Sequence, residues 1–287
     1  MKKGQIVKAL SGFYYVKSED RIYQARARGL FRKTSESPLV GDIVEFQVEN
    51  ETEGYITAID ERKNSMVRPP VANIDQVLLA MSLVSPAFNY YLLDRFIAYA
   101  EAQDMKPVIV ITKADLGGDA ALMAEIREVY EMYPVFFTDN NKVGDEMLSI
   151  FKDKLSVLAG QSGVGKSTLV NTILPGAELI TDEISNKLNR GKHTTRHVEL
   201  IEIAGGYIAD TPGFSTIEFS MIDKYNLKSC FIDFDGPGED CKFRECLHIN
   251  EPKCGVKQAV EEERLAASRY ESYKQIFEEI ESRKERY

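Results

Sequence analysis

What this 287-residue chain lacks narrows what it can be. It has no surplus of positive charge: 36 Lys and Arg stand against 45 Asp and Glu, a net charge of −9. That balance excludes a chain that coats nucleic acid indiscriminately, though it leaves room for a local basic face. Residues 1–68 hold 12 Lys/Arg and 10 Asp/Glu, so the acidic surplus lies in the rest of the chain. Long apolar runs are missing too. The most apolar stretch, residues 77–84, is too short to cross a bilayer core of roughly 30 Å. Lys2 and Lys3 precede an alternating, strand-like segment rather than the apolar run of a secretory leader. The expected setting is therefore the cytoplasm, with no membrane partner. There is no internal repeat and no low-complexity tract. Cysteine is confined to positions 230, 241, 246 and 254. In a cytosolic chain such clustering favours metal binding over disulfides. What remains, 44% hydrophobic and 28% charged residues, is the composition of a soluble globular protein long enough for two or three domains.

The chain changes character along its length. Residues 5–10, 12–16, 21–28, 42–48 and 54–59 read as five short strands between turns, the pattern of a small OB-fold barrel. Arg26, Arg28, Arg32 and Lys33 gather near one turn, with Tyr14, Tyr15, Tyr23 and Phe31 nearby. Charge beside aromatic rings suits single-stranded nucleic acid, through phosphate contacts and base stacking, and equally suits a solvated loop over a barrel core. Arg68-Pro69-Pro70 reads as a linker. Beyond it, apolar strands at 74–81, 107–111, 135–137 and 155–159 alternate with helices at 92–102, 119–132, 144–151 and from 168. Two more strands follow at 198–203 and 207–209. This alternation predicts a doubly wound α/β sheet. After residue 220 strand signals stop, and from Val256 the chain reads as helix, with a partial apolar stripe of Leu265, Tyr270, Tyr273, Phe277 and Ile280. The expected domains are 1–68, 69–218 and 219–287.

The most specific stretch is Gly160-Gln161-Ser162-Gly163-Val164-Gly165-Lys166-Ser167-Thr168. It lies between an apolar strand and a helix start, the context that a phosphate-binding loop needs. Glycines let successive N–H groups curl around phosphate oxygens, and the helix N-terminus adds its positive end. Lys166 is expected on the outer phosphates and the Ser167 hydroxyl on Mg²⁺.

Two further motifs stand at strand ends. Thr112-Lys113-Ala114-Asp115 resembles the Asn-Lys-x-Asp guanine signature, with Thr in place of Asn. The Asp115 carboxylate would accept from guanine N1–H and N2–H₂, a donor pair that adenine lacks, while Lys113 lies along the base. Asp210-Thr211-Pro212-Gly213 matches Asp-x-x-Gly. Asp210 would hold Mg²⁺ through water, and the Gly213 N–H would meet the γ-phosphate. The segment 181–197 between the loop and this motif is polar and includes His193, Thr194 and Thr195. A threonine there, assigned as Thr195 with Thr194 as the alternative, can reach Mg²⁺ when GTP is bound. The order is unusual. The guanine-like motif precedes the phosphate loop, whereas ordinary GTPases run the other way. All the parts are present, in circularly permuted order.

Cys241-x₄-Cys246-x-His248-x₅-Cys254 offers three thiolates and one imidazole. Tetrahedral Zn²⁺ takes such a set, and a closed four-ligand shell makes the site structural. Few apolar residues lie between 235 and 255, so this segment is expected to need its metal to fold. Cys230 stands outside the pattern and reads as a buried small side chain.

On these motifs, the chain resembles the circularly permuted, ribosome small-subunit-dependent GTPases. The resemblance covers essentially the whole chain and implies a fold: a permuted α/β P-loop GTPase domain between an N-terminal all-β OB-fold barrel and a C-terminal, mostly helical zinc domain. It implies GTP hydrolysis stimulated by the 30S subunit and binding to that subunit and its 16S rRNA late in maturation; the expected state is a monomer. The cysteine and histidine spacing matches the family's zinc motif. His193 resembles the family's proposed catalytic histidine, and Phe214 stands where Ras-like enzymes carry a water-positioning Gln. The family's Ser-Ala pair is replaced here by Phe137-Thr138-Asp139-Asn140. A small-molecule kinase or ATPase, or an RNA-binding module without turnover, are the rival readings. The guanine motif opposes the first; intact Lys166, Ser167 and Asp210 oppose the second.

Overall fold

The computed structural model describes residues 1–27, 31, 37–50, 52–67, 69–116, 119–139, 143–174, 198–210 and 221–284. The chain forms two compact units: Met1–Gln76, Val143–Leu158 and Ser167–Phe214 in the first; Val77–Lys142, Ala159–Lys166 and Ser215–Tyr287 in the second.

In the first unit, β1 (Lys2–Leu10), β2 (Phe13–Ser18), β3 (Arg21–Ala27), β4 (Ile43–Val48) and β5 (Glu53–Ile59) follow the alternation read from the sequence. β1 pairs with β2, β2 with β3, β3 with β5, β5 with β4, and β4 with β1, so the sheet closes into a barrel. Alternate residues point inward because successive side chains of a strand face opposite sides. Ile6, Val16, Tyr23, Ala25, Val44, Phe46 and Ile56 fill the interior. In place of the linker expected at residues 68–70, Pro70 already belongs to a strand: β6 (Ser65–Val67) and β7 (Pro70–Ala72) pair as a small hairpin, with Met66 and Val71 buried. Pro70 opens the second strand, a position where a missing N–H costs little.

The first unit also holds a second group of strands. β11 (Leu155–Ala159) runs parallel to β13 (Gly206–Asp210), and β12 (Val198–Ile203) is antiparallel to β13. β12 then pairs with barrel strand β1, Glu199 opposite Lys8 and Val198 opposite Ala9. Lys8 bonds Glu199 at 2.7 Å, and Lys17 of β2 pairs with Glu202 and lies over the Tyr207 ring. The barrel and the β12–β13 pair share one continuous ladder.

In the second unit, β8 (Gln76–Ser82), β9 (Lys106–Thr112) and β10 (Val135–Phe137) lie in the order β10-β9-β8, with β9 and β10 parallel. β8 and most of β9 are buried along their length, as strands covered on both faces require. Helix α1 (Tyr90–Glu101) starts at Asn89, whose side chain accepts from the Leu92 N–H. Helix α2 (Ala120–Val129) starts at Asp119, which caps Ala121.

The last helical stretch is broken, unlike the single run expected from Val256. After the short helix α5 (Asp235–Glu239), α6 (Gly255–Glu261) and α7 (Ala267–Lys284) flank a turn in which Glu263 has φ +57°. Arg264 and Leu265 N–H groups bond back to the Ala259 carbonyl. That closure satisfies the helix end and buries Leu265. α3 (Asp145–Ser149) and α4 (Lys166–Ile173) are the remaining α-helices among the described residues, beside two short 3-10 turns at Leu227–Cys230 and Ile232–Phe234.

Candidate functional site: phosphate loop, guanine-side turn and cysteine cluster

The phosphate loop leaves β11 at Ala159 and enters α4 at Lys166. Its shape depends on glycine. Gly160, Gly163 and Gly165 have φ of 144°, 82° and 98°, conformations that a side chain resists. At Gly160 there is also no room: a Cβ would stand 2.3 Å from the Ala80 carbonyl oxygen. Lys166 folds back, its Nζ donating to the Gly160 and Gln161 carbonyls at 2.7 and 2.6 Å. Burial lowers its pKa below the ordinary lysine value. An anionic phosphate would restore the ammonium's preference for its charge. Gln161, Ser162 and Gly163 are exposed and Val164 is buried; Ser167 and Thr168 stand exposed in the first turn of α4.

The Thr112–Asp115 turn is tied directly to this loop. Thr112, 4% exposed, brings its hydroxyl within 3.1 Å of the Met81 carbonyl and closer still to that of Val164. Lys113, at φ +60°, donates from Nζ to the Gly163 carbonyl at 2.8 Å and to the Ser85 carbonyl. The Ala114 N–H bonds Thr138 at 3.2 Å, and Thr138 in turn bonds Ile111. Two segments far apart in sequence thus form one polar surface, with the Asp115 carboxylate exposed at its end. The Ser85 and Thr138 contacts have no sequence signature, because they are made through the main chain.

Asp210 ends β13, which is parallel to the strand that feeds the phosphate loop. Ligand sites of such sheets gather beyond the carboxyl ends of the strands. His193, Thr194, Thr195 and Gly213 lie outside the described residues, as do Arg28, Arg32 and Lys33. Of the basic group only Arg26 is described; it is exposed, with its guanidinium 4.6 Å from the centre of the Phe13 ring.

The ligand atoms of Cys241, Cys246, His248 and Cys254 all lie within 4.8 Å of one another. His248 Nδ1 is 3.5 Å from the Cys241 sulfur and 3.3 Å from that of Cys254, and those two sulfurs are 3.9 Å apart. Tetrahedral bonds of ~2.3 Å place ligands about 3.8 Å from each other, so the set fits one zinc-sized ion. Cys246, His248 and Cys254 are buried. Burial, more than the neighbouring Cys254, pushes the Cys246 thiol up to about 12. Burial and then Lys228 bring His248 down to about 4, which keeps the imidazole neutral and able to ligate. A dication would reverse the cost of the buried thiolates. The supporting contacts are to the main chain: the Gly255 N–H donates to Cys241 Sγ at 3.3 Å, and Glu251 accepts from Leu247 and Ile249. Tyr270 and Tyr273 hydroxyls donate to the carbonyls of His248 and Leu247 at 2.7 and 2.6 Å. Cys230 is buried outside the cluster.

Comparison with known proteins places these features in context. The family model described as RsgA GTPase matches residues 59–220, and that described as RsgA N-terminal domain matches residues 3–56. The small ribosomal subunit biogenesis GTPase RsgA of Shouchella clausii is 50% identical over 293 residues, with 100% of both chains covered. The RsgA 2 protein of Listeria innocua is 53% identical over 291 residues, again with 100% of both covered. Among solved structures, YloQ, described as a circularly permuted GTPase, superposes with a TM-score of 0.85 at 44% identity, covering 99% of this chain and 96% of its own. YjeQ from Thermotoga maritima gives 0.84 at 36% identity, covering 97% and 98%.

Proposed function

Because the chain belongs to the RsgA GTPase family, we propose that it binds the small ribosomal subunit late in its assembly and hydrolyses GTP in response. The observation that carries the nucleotide reading is the bonding of Thr112 and Lys113 to the Val164 and Gly163 carbonyls. It joins a base-reading turn to a phosphate loop although their order in the chain is reversed. A kinase reading offers no reason for that junction to end in an exposed carboxylate.

In this reading Thr112, Lys113, Ala114 and Asp115 hold guanine, and residues 160–168 with Gly213 hold the phosphates. Ser167, Thr195 and Asp210 serve Mg²⁺, and His193 positions the attacking water. Phosphoryl transfer asks the protein mainly for positioning and charge stabilisation. The ion in the Cys241, Cys246, His248 and Cys254 cluster is zinc, held structurally. Arg26, Arg28, Arg32 and Lys33 face 16S rRNA from the barrel. Residues 1–68, 69–218 and 219–287 act as barrel, nucleotide and zinc domains of a cytoplasmic monomer. Among the described residues no helix is long and apolar enough to cross a membrane.

The test is GTP hydrolysis with and without purified 30S subunits. Strong stimulation, lost in His193→Ala with GTP and 30S binding retained, is the expected result; positioning groups commonly supply ~10²–10⁴-fold. No stimulation by 30S subunits would refute the reading.

A further inference from the structure

One buried charged cluster lies outside both sites. Arg269, in the first turn of α7, is fully buried. Its Nη1 donates to Asp94 Oδ1 of α1 at 2.5 Å, and its Nε and Nη2 clasp both Asp233 oxygens at 3.0 and 2.6 Å. Asp94 is fully buried as well, and also accepts from the Tyr130 hydroxyl at 2.9 Å. Tyr130 closes α2. The guanidinium lies 4.6 Å from the Phe231 ring centre and 5.5 Å from that of Tyr130. Buried ion pairs add little net stability, because desolvation offsets their attraction; breaking one by removing a partner is costly. What such a cluster does supply is a fixed geometry among the elements it joins.

Those elements lead to both sites. On one side, α1 and α2 flank the guanine-side turn: α2 follows Asp115 in the chain, and the carbonyl that anchors Lys113 belongs to Ser85, just ahead of α1. On the other side, the residue after Arg269 is Tyr270, and one turn on is Tyr273. Their hydroxyls hold the His248 and Leu247 carbonyls of the cysteine–histidine lobe. Asp233 adjoins Phe234, whose ring meets the His248 ring edge-on at 5.9 Å. One end of one helix therefore grips the metal-binding lobe and the guanine side together. Arg95 of α1 adds a further link to Glu279 of α7 along the same pair of helices.

We propose that Arg269 is a positioning residue that couples the lobe to the guanine-side turn, so that metal bound by the lobe and guanine nucleotide favour each other. Without metal the lobe loses the shape that α7 grips. α7 then holds Arg269 less firmly, and α1 and α2 with their anchor for Lys113 lose their fixed spacing. Coupling of binding free energies is reciprocal, so nucleotide must also strengthen the hold on the metal. The inference rests on the nucleotide-binding reading above.

The test is a thermodynamic cycle on the full chain, with zinc and GDP as probes. GDP affinity is measured in zinc-loaded and zinc-stripped protein, and zinc affinity by chelator competition with and without GDP. In the parent, each ligand should improve the other by about fivefold or more, the usual range of such couplings, and by the same factor. In Arg269→Met the mutual effect should vanish. Tyr270→Phe keeps the buried ion pair and removes only the hydroxyl on the His248 carbonyl; it should weaken the coupling while leaving the fold intact by circular dichroism. A merely structural role for Arg269 would lower both affinities and leave the factor between them unchanged, and that result would overturn the proposal. So would a parent whose GDP affinity ignores zinc. A parent that binds no GDP at all would bring down the nucleotide reading as well.

Discussion

The phosphate loop and the cysteine–histidine lobe each offer a small charged ligand a place, but they are made of different material. The loop presents main-chain groups. Its conformation comes from three glycines at positive φ, and its position from Thr112 and Lys113, which bond its carbonyls from a distant part of the chain. The lobe presents four side-chain atoms drawn from a span of 14 residues. Burial pushes the Cys246 and Cys254 thiols away from their charged, ligating form. The loop keeps its cation satisfied on its own carbonyls, whereas the lobe needs a dication to make its ligands compatible. The first is vulnerable to added volume and altered backbone freedom; the second is vulnerable to a change of ligand chemistry.

That contrast can be broken in order of expected effect. Cys246→Ser removes a ligand while adding no bulk. It should cost the lobe its metal and its local fold, because structural zinc contributes on the order of 10 kcal/mol. Elemental analysis and proteolysis around residues 241–254 read the outcome; a metal-loaded variant would contradict it. Gly160→Ala changes no binding chemistry yet places a Cβ against the Ala80 carbonyl. Overpacking of this kind costs roughly 1–3 kcal/mol, with backbone strain added. Thermal melting and GDP titration should both fall, while zinc content holds. Asp115→Asn, on the exposed end of the turn, should spare stability and lower GTP affinity by about ten- to hundredfold, since charged hydrogen bonds contribute ~1.5–3 kcal/mol. Base choice should relax with it; unchanged guanine preference would count against Asp115. Thr112→Val is the mildest. It removes a hydroxyl shared by two carbonyls, at about 1 kcal/mol, and should weaken nucleotide binding several-fold. If it leaves nucleotide binding unaltered, the loop does not depend on that tie.

How much of this was legible beforehand follows the same division. The barrel announces itself because a half-buried strand must alternate, and β1 to β5 do. The permuted GTPase fold is readable because glycine, lysine and serine at fixed spacing between strand and helix have few other uses. The cysteine and histidine spacing likewise carries its geometry with it. The contacts that assemble these parts leave no such trace. Arg269 looks like one more charge on a charged helix, since arginine is rarely fully buried. Its place one turn before Tyr273, on the stripe that continues to Phe277 and Ile280, was the available clue. Carbonyl acceptors such as Ser85, Gly163 and Val164 are invisible because every residue has one. The hairpin at 65–72 was obscured by its prolines, and the break at Glu263 by the absence of a glycine there.

The ladder between β1 and β12 has a consequence for how the protein can be cut. A strand whose partner is removed presents a row of free N–H and C=O groups, a template for pairing with any other chain. A truncated protein that began after the barrel would leave β12 in that state, with the Val198, Leu200 and Ile203 side chains that are buried in the intact chain set along it. In the whole chain the barrel strand occupies that edge through Lys8 and Ala9. The barrel is thus a seal as well as a module. Its loss should appear first as poor solubility, before any question of ribosome binding arises.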